Sequence, residues 1–250
     1  MIDKNFINKT ALITGGSKGI GRSICEEFVK KGTEVIFTYR KNDKSVKSLI
    51  SFSKKYNRKI HGYKTDNLTD KDFKILFKKI KKRHKKINFL INNIGDAVQR
   101  SEFVKSTDDL WLKSLDINLM SAVRVTKCLL NLFGKDQISS IVNIGSIAGK
   151  TFGQGDSLHY GVSKSALHGF TLGLSKELKR IRVNCVAPNA VDTDFQKRHS
   201  SKKRIKNIIN KNKSGRLATS KEVADLAVYL CSKKADFING EIIFMTGGIK

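Results

Sequence analysis

Seven short apolar runs punctuate the chain: Ala11–Thr14, Glu34–Thr38, Ile60–Lys64, Phe89–Asn92, Ser140–Ile144, Arg182–Ala187 and Ile242–Met245. Polar positions barely interrupt them, which is the pattern of strands buried on both faces. The stretches between them carry helical periodicity. In one, Phe73, Leu76, Phe77 and Ile80 recur at i, i+3, i+4 and i+7, sharing one face while the neighbouring lysines meet water. Alternating strand and helix predict a parallel sheet covered on both sides. Right-handed crossovers make it doubly wound, with ligands at the carboxyl ends of the strands. A single proline, Pro188, and the lack of a Gly/Ser linker or repeat mark no boundary, so one α/β, Rossmann-like domain is expected over residues 1–250.

Composition changes this picture little. A chain of 250 residues with 39% hydrophobic and 28% charged positions is ordinary for a globular domain with one full core. No run approaches the length of a membrane span, and MIDKNFINKTALITGG has no apolar signal region, so no membrane contact and a cytoplasmic location are expected. The four cysteines lie far apart with no CxxC pair and read as core residues. The histidines show no metal-ligand spacing, and no metal is expected.

The net charge of +27 raises the question of nucleic acid. Lysine outnumbers arginine 38 to 11, however, and the densest run, Lys78–Lys86, overlaps the helix whose apolar face was just described. Aromatic residues do not interleave with the basic ones. A solvated basic surface is the expectation, without nucleic acid.

The chemistry starts at TGGSKGIG, which ends the first run and opens a helix. Gly15, Gly19 and Gly21 stand where a backbone must turn tightly against a pyrophosphate at a helix N-terminus, and Ser17, Lys18 and Ile20 share that turn. The second run ends in FTYRK, with Tyr39 at the position an acidic reader of a ribose 2′-hydroxyl would take and Arg40 next to it. An absent carboxylate beside cations predicts NADP(H) as cofactor.

A second constellation follows the fifth run. Ser146 ends that strand, and fourteen positions later Tyr160 and Lys164 fall at i and i+4 on one helix. Carbonyl reduction needs a proton donor at oxygen while hydride reaches carbon. A neighbouring ammonium is expected to lower the tyrosine pKa for that task. Tyr229 and Lys233 repeat the spacing but lack an upstream strand-terminal serine, so they read as structural.

Together these motifs, with NNIG at Asn92–Gly95, DINLMSA around Asn118, RVNCVAP and VDTDF, resemble the short-chain dehydrogenase/reductase family over essentially the whole chain, nearest to its 3-oxoacyl-carrier-protein reductase-like members. The resemblance implies Asn118, Ser146, Tyr160 and Lys164 as the catalytic set, Asn118 through a water that relays protons to Lys164. It implies cofactor contacts from Asp66, Asn67, Asn92, Gly95, Pro188, Val191 and Thr193, and a homodimer or homotetramer built on the helices carrying Asn118 and Tyr160. Ile94 and Asn189 depart from the family pattern beside the cofactor.

By the same resemblance, residues about 191–216 form a small substrate lid. From Phe195 to Lys221 it contains no acidic residue, which predicts an anionic, carrier-linked or small-molecule carbonyl substrate. An alcohol of a sugar or secondary metabolite, and a non-catalytic NADPH-binding protein, are the alternatives.

Overall fold

The computed structural model describes residues 5–41, 44–65, 68–153 and 155–248. Its strands are β1 (Thr10–Ile13), β2 (Glu34–Tyr39), β3 (Ile60–Lys64), β4 (Phe89–Asn92), β5 (Ser140–Ile144), β6 (Arg182–Pro188) and β7 (Ile242–Met245). All seven expected runs are strands, with bounds within a residue or so of the apolar pattern. They form one sheet in the order β3-β2-β1-β4-β5-β6-β7, and every neighbouring pair is parallel.

Strand periodicity explains why the runs are apolar throughout. Ala11 and Ile13 point to one face of β1 and Leu12 to the other, and all three are fully buried. The first face packs on helices α1 (Gly19–Lys30), α2 (Lys44–Lys54) and α10 (Ser220–Cys231), through Ile24, Phe28, Leu49, Val223 and Val228. The second packs on α3 (Asp70–Arg83) and α5 (Ser121–Phe133), through Phe73, Phe77, Ile80, Val125 and Leu129. The four apolar positions read from the sequence of α3 are therefore its buried stripe, and Lys78, Lys79, Lys81 and Lys82 are exposed.

Local signals fix the helix ends. The Thr69 side chain accepts from the Asp72 N–H at 3.2 Å, with acids in the first turn of α3 and Lys81, Lys82 and Arg83 in its last, as the helix dipole favours. Thr219 and Glu222 make a reciprocal capping box on α10. The remaining helices are α4 (Asp108–Leu115), α6 (Ala148–Thr151), α7 (Leu158–Glu177), α8 (Asp194–His199) and α9 (Lys202–Lys211).

All four cysteines are buried free thiols, as their apolar surroundings implied. Among the described residues no helix is long and apolar enough to cross a membrane. Strand order reverses between β1 and β4, and the carboxyl ends of those strands open the crevice where an open α/β sheet binds ligands.

Candidate active site

That crevice is a cleft of about 1190 Å³, walled by the turns after β1, β2, β4, β5 and β6 and roofed by α8 and α9. Its floor begins at the glycine turn. The Gly15 N–H donates to Thr38 Oγ1 at 3.0 Å and the Gly16 N–H to the Thr38 carbonyl at 2.9 Å, tying the turn to β2. Gly15 and Gly19 have φ of 66° and 52°, a region costly for residues with a Cβ. Gly21 does not reach the cleft. A Cβ there would lie 2.4 Å from the Gly15 carbonyl oxygen, so its role is to let α1 close against the turn. No side chain caps α1 and no acid occupies its first turn, which leaves its N-terminal N–H groups suited to an anion.

Around this turn the cleft is lined by Ser17, Lys18 and Ile20, by Tyr39, Arg40 and Lys41 after β2, and by Gly95, Pro188, Val191 and Thr193. Its lining carboxylates among the described residues are Asp96, Asp116 and Asp194, none of them on β2. Asp66 and Asn67 lie outside the described residues.

Asn92 points elsewhere. Its Nδ2 donates to Thr126 Oγ1 at 3.1 Å and Asn143 Oδ1 at 2.8 Å, inside the fold. The cleft residue is its neighbour Asn93, whose Nδ2 donates to the carbonyls of Thr14 (3.0 Å) and Gly15 (3.2 Å) and braces the glycine turn. Strand alternation explains the exchange, because adjacent residues at a strand end face opposite ways.

Ser146, Tyr160 and Lys164 converge on the same cleft, from the end of β5 and from one face of α7. Ser146 Oγ accepts from the Ala148 N–H at 3.1 Å, and the Ser146 hydroxyl lies beside the Tyr160 phenol, where it favours the phenolate. Lys164 is 3% exposed, and its ammonium donates to the Ile144 carbonyl at 2.9 Å. It stands 6.0 Å from the centre of the Tyr160 ring.

Burial dominates both titrations. It pushes the Tyr160 phenol up to about 12, against the pull of the Ser146 hydroxyl beside it, and Lys164 down to about 8. The sequence-based expectation of a phenol lowered by its lysine is therefore corrected for the protein alone, since desolvation outweighs an ammonium anchored on a carbonyl instead of the phenol.

Asn118 is fully buried in a short π-helical stretch, Asp116–Met120, between α4 and α5. Its Nδ2 donates to the carbonyls of Asp96 (2.8 Å) and Ser114 (2.9 Å), and its Oδ1 accepts from the Asp96 N–H at 3.1 Å. Asn118 does not line the cleft. A Cβ on Gly95 would fall 2.9 Å from Lys164 Nζ and 3.0 Å from Asn118 Oδ1, so Gly95 is what lets these two groups share one spot behind the cleft wall. Tyr229 lies apart, exposed on α10, with its hydroxyl on the Lys234 carbonyl at 3.2 Å.

The roof is fastened by charge. Asp156 accepts from Arg100 at 2.8 Å and from Arg204 of α9 at 3.1 Å. Asp96 meets His199 at 2.6 Å and Arg198 at 3.3 Å, both from α8. The segment that lacks acids is thus countered by Asp96 of the cleft wall and by Asp156, a long-range pairing that reading along the chain did not reveal. Phe195 closes over Tyr160, with ring centres 6.2 Å apart.

A family model described as enoyl-(acyl carrier protein) reductase matches residues 15–250. The 3-oxoacyl-acyl-carrier-protein reductase FabG of Aquifex aeolicus is 33% identical over 245 residues, covering 96% of this chain and 97% of that protein. Its counterpart in Escherichia coli is 30% identical over 247 residues, covering 98% of each. Among solved structures, a short-chain dehydrogenase/reductase from Brucella melitensis titled glucose/ribitol dehydrogenase is similar with a TM-score of 0.86 at 29% identity, covering 98% of both chains. The chain belongs to the short-chain dehydrogenase/reductase family of oxidoreductases.

Proposed function

We propose that the protein reduces a ketone to a secondary alcohol with NADPH, and that the ketone is a 3-oxoacyl group on an anionic carrier. One observation carries the reading: Ser146 and Tyr160 present neighbouring hydroxyls in the cleft that also contains the glycine turn, with Lys164 one helical turn on. The residues present fit the cofactor. The positive-φ glycines and uncapped α1 suit a diphosphate flanked by Ser17, Lys18 and Ile20. Arg40 and Lys41, without a carboxylate at the carboxyl end of β2, suit a 2′-phosphate. Gly95, Pro188, Val191 and Thr193 flank the nicotinamide end.

When bound, NADPH supplies the hydride that adds to the carbonyl carbon. Tyr160, whose burial favours the protonated phenol, gives its proton to the oxygen as negative charge builds there. Ser146 donates a hydrogen bond to the same oxygen. Lys164 steadies the resulting phenolate, and Asn118 acts as a positioning residue for Lys164 across Gly95, through its amide oxygen or a water beside it. Two hydroxyls converging on one oxygen suit a ketone better than the enoyl group named in the family model's description. The curated relatives act, by their printed names, on 3-oxoacyl groups carried by a protein. A chain of this kind works in the cytoplasm as a homodimer or homotetramer, with residues about 191–216 as its lid.

NADPH oxidation is measured with a 3-oxoacyl thioester, the matching enoyl thioester and a sugar ketone. The 3-oxoacyl compound should exceed both others, and NADPH exceed NADH, by at least about tenfold in kcat/KM, or about 1.4 kcal/mol. Arg40→Asp should erode the NADPH preference. Preference for the enoyl compound, or equal use of NADH, contradicts the reading.

A further inference from the structure

At the opposite end of the sheet, three elements bring Glu34, His61 and His84 together. Glu34 opens β2, His61 is the second residue of β3, and His84 caps the carboxyl end of α3. His84 Nδ1 lies 3.1 Å and His61 Nε2 3.4 Å from the same carboxylate oxygen, Glu34 Oε1. One ligand atom from each residue lies within 4.8 Å of the other two. The group floors a depression of about 400 Å³ that is also lined by Lys59, Arg83, Lys85 and Lys86. We propose that Glu34, His61 and His84 bind a divalent first-row transition metal ion, with zinc(II) the best fit, far from the cleft.

Ligand chemistry selects the metal class. Two imidazoles and one carboxylate suit zinc, nickel or cobalt, whereas magnesium and calcium favour oxygen ligands throughout. Zinc bonds of about 2.0–2.1 Å in a tetrahedron give ligand separations near about 3.3 Å, which the 3.1 and 3.4 Å spacings bracket. His61 is half-exposed, and its ring centre stands 4.8 Å from that of His84.

His84 is prepared for the role. Its ring is buried, with Nδ1 turned to the Glu34 carboxylate. Tyr63 Oη lies 3.2 Å from Nε2, the kind of outer contact that fixes a metal-binding histidine with its other nitrogen toward the metal. The cations on the rim oppose a bare divalent ion and favour an anion or hydroxide as its fourth ligand. Bound metal would staple β2, β3 and the end of α3.

The test uses the full chain without a histidine tag, stripped by chelator and titrated with zinc(II) alone at about pH 7.5, where the ligands shed their protons. We expect one equivalent to bind, Tm to rise to a plateau at that stoichiometry, and cobalt(II) to give a ligand-field absorption band in its place. His61→Ala and Glu34→Gln, which leave the buried His84 ring in place, should each weaken zinc binding by at least about tenfold. Equal zinc affinity in the wild type and both variants overturns the proposal, as does the absence of one-equivalent binding to the wild type.

Discussion

The floor and the roof of the cleft are built on different principles. On the floor, Ser146, Lys164 and the glycine turn are held by strands through backbone bonds: the Lys164 ammonium on the Ile144 carbonyl, Gly15 and Gly16 on Thr38, Asn93 on the turn itself. The roof is tied down by ion pairs of Arg198 with Asp96 and of Arg100 and Arg204 with Asp156, all partly open to water. Backbone bonds in a dry interior set geometry and shift pKa values. Solvated ion pairs contribute little stability and are screened by salt. Such a division suits a catalyst whose chemistry stays constant while the segment facing the substrate adjusts.

The sharpest way to probe the floor is Lys164→Met. Removing the ammonium should lower kcat by about 10² or more, by the usual worth of proton-transfer catalysis. It should also stabilise the fold. Folded Lys164 titrates at about 8 against its ordinary 10.5, so between those pH values the unfolded chain binds more protons and wild-type stability rises with pH. The variant lacks that dependence. Its advantage in unfolding free energy should approach about 3 kcal/mol below pH 8 and vanish as pH climbs to about 10.5, as chemical denaturation across that range will show. An advantage independent of pH would mean that Lys164 titrates alike in the folded and unfolded chain.

A smaller effect is expected at the roof. With saturating NADPH, kcat/KM for an anionic ketone should fall severalfold from low to physiological ionic strength, about 0.15 M, while a neutral ketone of similar size changes little. Arg204→Ala should flatten that dependence with little change in Tm, because the pair it breaks is solvated. Equal salt responses for the two ketones would make the basic roof a matter of composition and would remove the contrast with the floor.

The sequence and the fold agree most where the physics is local. Strands buried on both faces write continuous apolar runs, so all seven were legible, and the Ser146, Tyr160, Lys164 order stood out against the Tyr229–Lys233 repeat because only the first follows a strand end. What stayed hidden depends on convergence or on a single step of register. Asn93 rather than Asn92 faces the cleft through strand alternation. Asp96 and Asp156 answer the roof cations from a distant part of the chain. Glu34, His61 and His84 meet only because β2 pairs with β3 beside the end of α3. The weight of burial on Tyr160 was likewise invisible, since desolvation belongs to the packed interior and to no motif.

The central claim is that Tyr160, and not its look-alike on α10, donates the proton. Tyr160→Phe and Tyr229→Phe are compared with the wild type in NADPH oxidation by a 3-oxoacyl thioester, with NADPH affinity measured alongside. Tyr160→Phe should lose about 10² or more in kcat while binding NADPH almost unchanged, and Tyr229→Phe should behave as the wild type. Equal losses in the two variants, or a Tyr160→Phe enzyme of undiminished kcat, would contradict that assignment.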